Sequence, residues 1–359
     1  MADRRLVTTQ EQGEQFRLSV SHGFADWLSG IGGSLALTTY QAGRLLFLGS
    51  GPDGSITLFE RDFPRSMGIA VSPDAQSFVL VTQFQIYRFN NVVEAGEAGG
   101  FDAAYVPHAA WITGSVDAHD VGFAQDGRPI FVNTLYSCIA AVSDTRNFKL
   151  LWQPPFVSEI VPEDRCHLNG MCVLDGRPRY VTAVSRTDAK DGWRDHRTDG
   201  GVVIDVDSGE PIVTGLSMPH SPRFHDERLW VLNSGAGQFG YVDRAAGMFQ
   251  PVAFCPGYAR GLSFVGRFAV IGLSGPRENG AFGGLMLDEE LASRRREAFC
   301  GLLIVDIDSG AIVEWARIDG AIRELYDTAV LPGILRPSVV GFKTDEIKKR
   351  IAIERASLP

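Results

Sequence analysis

One short segment recurs along the chain: His119-Asp-Val-Gly-Phe123, His167-Leu-Asn-Gly-Met171 and His220-Ser-Pro-Arg-Phe224. Each opens an apolar run, then a turn, then a second apolar run. Two of the turns share Asp-Gly-Arg-Pro at nearly the same offset, seven and eight residues past the histidine, in Gln125-Asp-Gly-Arg128-Pro129 and Leu174-Asp-Gly-Arg177-Pro178. Asp-Gly is a strong hairpin signal, because glycine accepts a positive φ. Segments recurring about every fifty residues imply one structural unit repeated.

Less conserved copies extend the series. Arg65-Ser-Met-Gly-Ile69 precedes the turn Pro73-Asp-Ala-Gln76, Arg260-Gly-Leu-Ser-Phe264 precedes Arg267-Phe-Ala-Val-Ile-Gly272, and Glu324-Leu-Tyr-Asp-Thr328 opens a final run through Val330. That makes about six units. The 40 glycines and 18 prolines lie between short β-branched runs, which favours sheet over helix. The expected fold is all-β: a β-propeller of about six blades, whose radial repetition protects sheet edges and whose ring is closed by N- and C-terminal strands. Residues 1–15 read as an N-terminal arm, 16–340 as one propeller domain and 341–359 as a charged helical tail. Residues 94–104 and 185–200 read as loops, and 275–298 as a charged, partly helical insertion.

Composition excludes several classes. With 45% apolar and 21% charged residues the chain is globular. A net charge of −9 argues against nucleic-acid binding. No 18-residue apolar run exists to span a membrane, and the first residues lack the apolar stretch of a signal peptide. The five cysteines form no C-x-x-C pair, and reduced thiols in a cytoplasmic protein are expected. There is no G-x-S-x-G, P-loop, H-E-x-x-H or dinucleotide fingerprint. Two related turns, Asp205-Val-Asp-Ser-Gly209 and Asp306-Ile-Asp-Ser-Gly310, carry carboxylates that could hold calcium but read first as hairpin turns.

Aligned on the first strand, the units lead with Arg65, His119, His167, His220, Arg260 and Glu324. In a propeller those strands line the central channel. Three neutral imidazoles converging on one point form an open metal site, so His119, His167 and His220 are expected to hold a divalent transition metal (iron, copper or zinc). Cys166 is a conceivable further ligand, but strand alternation points it away from His167 and a buried structural thiol is the expected reading. Glu324 would serve as base or fourth ligand. Arg65 and Arg260 would hold an acidic group of a small-molecule or peptide substrate. Position three of each unit adds Asn169 and Tyr326 as polar groups facing the channel.

The blocks Phe131-Val-Asn-Thr-Leu-Tyr-Ser137, His167-Leu-Asn-Gly-Met171, Met218-Pro-His-Ser-Pro-Arg223 and Leu229-Trp-Val-Leu-Asn-Ser-Gly235 resemble a bacterial family of conserved hypothetical proteins classed as a domain of unknown function. The resemblance spans roughly residues 20 to 340 and supplies no catalytic residues. In site logic alone the chain also resembles carotenoid-cleaving oxygenases, which hold iron on four axial histidines in seven blades. Gluconolactonase-like propellers, with Glu, Asn and Asp around calcium, match only at Glu324 and Asn169. Three functions follow as expectations. The first is a metal-dependent oxidoreductase of oxygenase or hydroxylase type. The second is a non-catalytic module for peptide or protein partners. The third is a zinc- or calcium-dependent lactonase-type hydrolase.

Overall fold

The computed structural model describes residues 6–8, 16–93, 100–276 and 283–353. Among the described residues the strands form six sheets, each built on four antiparallel strands running outward from a common axis, with one sheet extended to six strands and one to five. The innermost strands are Thr328–Pro332 in blade 1, Ile69–Val71 in blade 2, Ala118–Phe123 in blade 3, Leu168–Leu174 in blade 4, Pro219–His225 in blade 5 and Tyr258–Val265 in blade 6. The expected six-bladed propeller is therefore the observed one.

The second strand of each blade explains the density of apolar runs. Ser77–Val81 and Pro129–Asn133 are buried at every residue. Sheets stacked face to face leave these strands no wet side, so they are apolar throughout instead of alternating. Between blades 1 and 2 the filling is aromatic: Phe47, Phe63, Phe78, Phe89 and Tyr105 pack together, with Phe78 and Phe89 stacked 4.6 Å apart.

The ring is closed three times. Thr328–Pro332 pairs with Gly33–Thr39, so the C-terminal part supplies the inner strand of blade 1. Phe16–Val20 adds to the outer edge of blade 6 along Ile312–Gly320. Pro337–Val339 lies parallel to Ala103–Tyr105 at the edge of blade 2. Each addition covers unpaired backbone at an edge.

The two Asp-Gly turns differ. In blade 4, Leu174 pairs with Arg177, and Asp175 and Gly176 both have positive φ, giving a two-residue type I′ turn. In blade 3 the pair is Phe123 and Pro129, and only Gly127 is left-handed. The same dipeptide thus closes a longer loop there.

Several expectations are corrected. Part of the arm is sheet, since Leu6–Thr8 pairs with Arg17–Ser19; residues 1–5 and 9–15 lie outside the described residues. Residues 94–99 also lie outside them, and the expected loop ends early because Ala103–Ile112 is the fourth strand of blade 2. The tail helix is reduced to one 3-10 turn, Asp345–Lys348. A helix there would have no face to bury, since Ile351 and Ile353 are exposed, and short unpacked helices do not pass the nucleation cost. The insertion does contain a helix, Met286–Ser293. A second helix, Phe24–Gly30, arises where no helix is expected, seated by fully buried Phe24 and Leu28. All five cysteines are free and buried. No helix among the described residues is long and apolar enough to cross a membrane.

Candidate functional site at the propeller axis

Three glycines reveal how the inner strands align. A Cβ on Gly68 would lie 3.0 Å from the Cα of Asp120, one on Gly170 would lie 2.9 Å from the Ser221 nitrogen, and one on Gly261 would lie 2.6 Å from the Cα of Asp327. Blades 2, 4 and 6 thus each press a glycine against Asp120, Ser221 or Asp327 of the next odd blade. Those three residues also bind forward. Asp120 accepts the N–H of Met171 at 2.9 Å, Ser221 that of Gly261 at 3.1 Å, and Asp327 that of Ile69 at 3.0 Å. The glycines of alternate blades are therefore equivalent to Asp120, Ser221 and Asp327.

The axial ring consists of the residues just before them: Met67, His119, Asn169, His220, Arg260 and Tyr326. The contacts agree. The His119 and Tyr326 rings lie 5.7 Å apart, and the Arg260 guanidinium sits 5.4 Å from the centre of the Tyr326 ring. Asn169 accepts the Thr182 hydroxyl at 2.7 Å, and its amide nitrogen donates to His220 Nε2 at 3.4 Å.

This corrects the expected ring in half of its members. Arg65, His167 and Glu324 stand two residues earlier, one layer nearer the mouth. Arg65, Asp117, His167 and Met218 occupy that same position in four blades, and all have φ between 46° and 51°. Arg65 is at the rim, stacked over Tyr40 with its Nη2 near the Tyr40 hydroxyl and 3.8 Å from Asp117. Glu324 is buried beside Cys300, whose thiol burial pushes up with Glu324 adding to the effect. Asn169 and Tyr326, the residues at position three, are both buried.

The expected three-histidine metal centre is not assembled. Among the described residues no three His, Cys, Asp or Glu side chains are arranged to hold a metal ion. The two-residue offset puts His167 in a different layer from His119 and His220, and His220 Nε2 lies 3.4 Å from the Asn169 amide nitrogen. Cys166 packs in the core between blades 3 and 4, and burial pushes its thiol up to about 12. The carboxylate turns are also accounted for, as Arg179 pairs with Asp205 and Asp207, and Arg267 with Asp306 and Asp308.

His119 and His167 do meet across the layers, with ring centres 4.9 Å apart. Nδ1 of His119 donates to the Asp117 carbonyl at 2.8 Å, which fixes the tautomer and leaves Nε2 as an acceptor. Burial brings the His119 pKa down to about 4; Asp117 opposes the shift, while His167 and Arg260 add to it. Nδ1 of His167 donates to the Asp164 carboxylate at 2.8 Å. The same oxygen accepts the Trp193 indole N–H at 2.9 Å, and Trp193 stacks on the His167 ring at 4.2 Å. Burial alone would raise the Asp164 pKa, but charge and hydrogen bonding from His167 outweigh it, so Asp164 stays below the usual carboxylate range. Tyr326 is the opposite case. Burial, against the pull of Arg260, keeps its phenol protonated, and its hydroxyl has no hydrogen-bond partner among the described residues.

Sequence reasoning missed Asp164, Asp117 and Tyr40. The signals were short spacings, Asp-x-x-His at 164–167 and Asp-x-His at 117–119. It also missed Arg223, which reaches inward from blade 5. Its two terminal nitrogens donate to the two Asp120 oxygens at 2.9 and 3.1 Å, and Asp327 lies 3.8 Å away.

The depressed His119 pKa makes a stability prediction. Between 6.5 and about 4 the unfolded imidazole binds a proton that the folded one refuses. His119 therefore contributes stability above pH 6.5 that is lost as pH falls toward 4, about 3 kcal/mol in all. Asp327, raised by burial to about 7 against Arg223, acts in the opposite sense over an overlapping range. The difference between wild type and His119→Asn cancels that contribution. Urea unfolding from pH 7 to 4 is expected to fall more steeply in wild type than in the variant. Parallel curves would mean that the imidazole is solvated.

The fold and this axis define a six-bladed propeller with an uncharged imidazole, a phenol and a guanidinium buried together at its axis. The chain belongs to the family described as Domain of unknown function (DUF4915), whose model matches residues 22–340. No curated protein matches the sequence. Among solved structures, the nidogen/laminin complex aligns at 12% identity and TM-score 0.51, covering 84% of this chain and 98% of that one. A streptogramin B lyase aligns at 10% identity and TM-score 0.41, covering 87% and 91%. Virginiamycin B lyase from Staphylococcus aureus aligns at 12% identity and TM-score 0.36, covering 84% and 99%. The first likeness shows the shared fold alone, and the lower-scoring two say nothing of activity.

Proposed function

We propose that the channel mouth binds a small carboxylate and transfers a proton on it. The carrying observation is the Tyr326 hydroxyl, buried and unpartnered among the described residues, between a guanidinium and a neutral imidazole. A buried donor without an acceptor costs about 1–3 kcal/mol, which a ligand oxygen reaching the Tyr326 hydroxyl would recover. Arg260 supplies the counter-charge, and Tyr326 donates to the oxygen where negative charge builds up. His167, oriented by Asp164 and covered by Trp193, presents Nε2 as the base. His119 stays neutral beside it, and its Nε2 accepts from a hydroxyl group on a 2-hydroxy acid.

The test is solvent-deuterium exchange and turnover followed by NMR across 2-oxo acids, 2-hydroxy acids and lactones. One class is expected to react, with His167→Ala lowering the rate at least 100-fold and Asp164→Asn about 10-fold or more. Unchanged rates in both variants would sink the assignment of the base. Failure of every acid to perturb the His119 or Tyr326 resonances would sink the site itself.

A further inference from the structure

Two segments meet at His167. Residues 153–167 carry the chain from blade 3 to blade 4, and residues 184–200 join the second and third strands of blade 4. The first supplies Asp164 and the second Trp193, and both reach His167 through one carboxylate oxygen, Oδ2 of Asp164. The other oxygen, Oδ1, is buried without a hydrogen bond among the described residues. Nothing at Oδ1 stops the carboxylate from turning, so its aim depends on where the backbone is held. That backbone is left-handed at Asp164 (φ 45°), His167 (φ 50°) and Asp191 (φ 54°). Residues other than glycine stay in that region only when their surroundings hold them there.

The contact that joins the two segments is made by Arg165. Its Nε donates to Glu163 at 2.9 Å, and its Nη1 to Asp188 at 2.7 Å and to the Ser158 hydroxyl at 2.9 Å, while Nη2 lies 3.5 Å from Glu159. Its carbonyl accepts the Thr187 hydroxyl at 2.6 Å, and the Ser158 N–H donates to Asp188 at 3.0 Å. The Asp191 N–H, next to the turn that carries Trp193, donates to the Glu163 carbonyl at 3.0 Å. From this arrangement we infer that Arg165 is a positioning residue for the base: it clamps the two segments together so that Asp164 and Trp193 arrive at the same imidazole, and through them it sets which ring nitrogen of His167 carries the proton. The inference rests on the reading of His167 as the base and adds the group that aims it. A planar guanidinium suits the task, because its fork fixes the directions of several carboxylates at once, which the point charge of a lysine does not. With Glu163 and Asp188 bound to Arg165, Asp164 is the carboxylate that remains for His167.

The experiment reads the histidine rings of the full chain by ¹⁵N NMR. In wild type the His167 Nδ1–H held by Asp164 is expected as a slowly exchanging downfield signal. Arg165→Met should broaden or remove it. The Nδ1–H of His119, which donates to the Asp117 carbonyl, should keep its own signal and so report that the propeller is intact. Arg165→Lys retains the charge without the fork and should recover only part of the His167 signal. On an acid that wild type turns over, Arg165→Met should lower kcat about 10- to 100-fold and change KM by less than about threefold, since the base is misaimed while the ligand contacts stay. Asp188→Asn, on the opposite segment, is the second variant should Arg165→Met fold poorly, and it should weaken the His167 signal in the same sense. An unaltered His167 signal in both variants overturns the clamp, as does equal loss of the His119 and His167 signals in both. Absence of turnover in wild type sinks the proton-transfer reading instead, and the His167 signal then decides the clamp by itself.

Discussion

Replacing Asp120 by alanine is expected to lower the unfolding free energy by about 2–4 kcal/mol. Asp120 is the acceptor for four donors: both terminal nitrogens of Arg223 and the backbone N–H groups of Val121 and Met171. Removing it leaves a guanidinium that keeps the Met171 and Pro222 carbonyls at 3.0 Å but has only the more distant Asp327 as a counter-charge among the described residues. It also leaves two inner-strand N–H groups from adjacent blades without an acceptor. Breaking one partner of a buried pair costs more than the pair contributes, because the remaining charge has lost its solvent without compensation. Arg223 keeps 23% of its side chain open to the channel, so water softens the loss, and the range sits below that of a sealed pair. Urea midpoints measure it. Arg223→Met in the Asp120→Ala background should recover part of the loss, since it removes the stranded charge. A single-variant loss under 1 kcal/mol would show that channel water satisfies Arg223 unaided.

Gly261→Ala is expected to be worse, costing more than about 4 kcal/mol or preventing folding. The residue combines φ +74° with a Cβ position 2.6 Å from the Asp327 Cα and 2.7 Å from the Thr328 nitrogen. The colliding atoms are backbone of the strand that closes the ring, so no rotamer change relieves them. Gly266→Ala is the control. Its φ is +54°, but nothing lies within 4 Å of the new methyl, so only the left-handed backbone penalty of about 1 kcal/mol applies. Equal losses at the two sites would mean that conformational strain, not blade-to-blade contact, explains Gly261.

That glycine also shows where the sequence was legible and where it was not. The blade count could be read from the apolar runs and their turns, because pairing within a blade is local to its hairpins; the ring closure, which pairs Thr328–Pro332 with Gly33–Thr39, followed only from the need to cover the last sheet edge. His119, His220 and Arg260 were assigned to the ring by the same reading. His167 looked equivalent to His119 because both are histidines opening a strand. Their true counterparts differ in type: Asn169 matches His119, and Gly170 matches Asp120. A propeller allows this, since alternate blades meet their neighbours through opposite halves of one contact. One blade supplies a glycine and the next a carboxylate or hydroxyl. Aligning like with like therefore shifts half of the units by two residues. A two-residue shift keeps a strand's side chains on the same face and moves them one layer along the axis.

The amino-acid order by itself determined that this chain builds repeated four-stranded sheets, apolar through their middle strands and joined by tight Gly-containing turns. It also determined that imidazoles and guanidiniums open the inner strands. Only the tertiary structure decided which of them share a level. That depends on how closely one blade's backbone approaches the next, a distance set by three glycines and by Asp120, Ser221 and Asp327. The same packing turned a presumed metal triad into two histidine–acceptor pairs and a lone phenol.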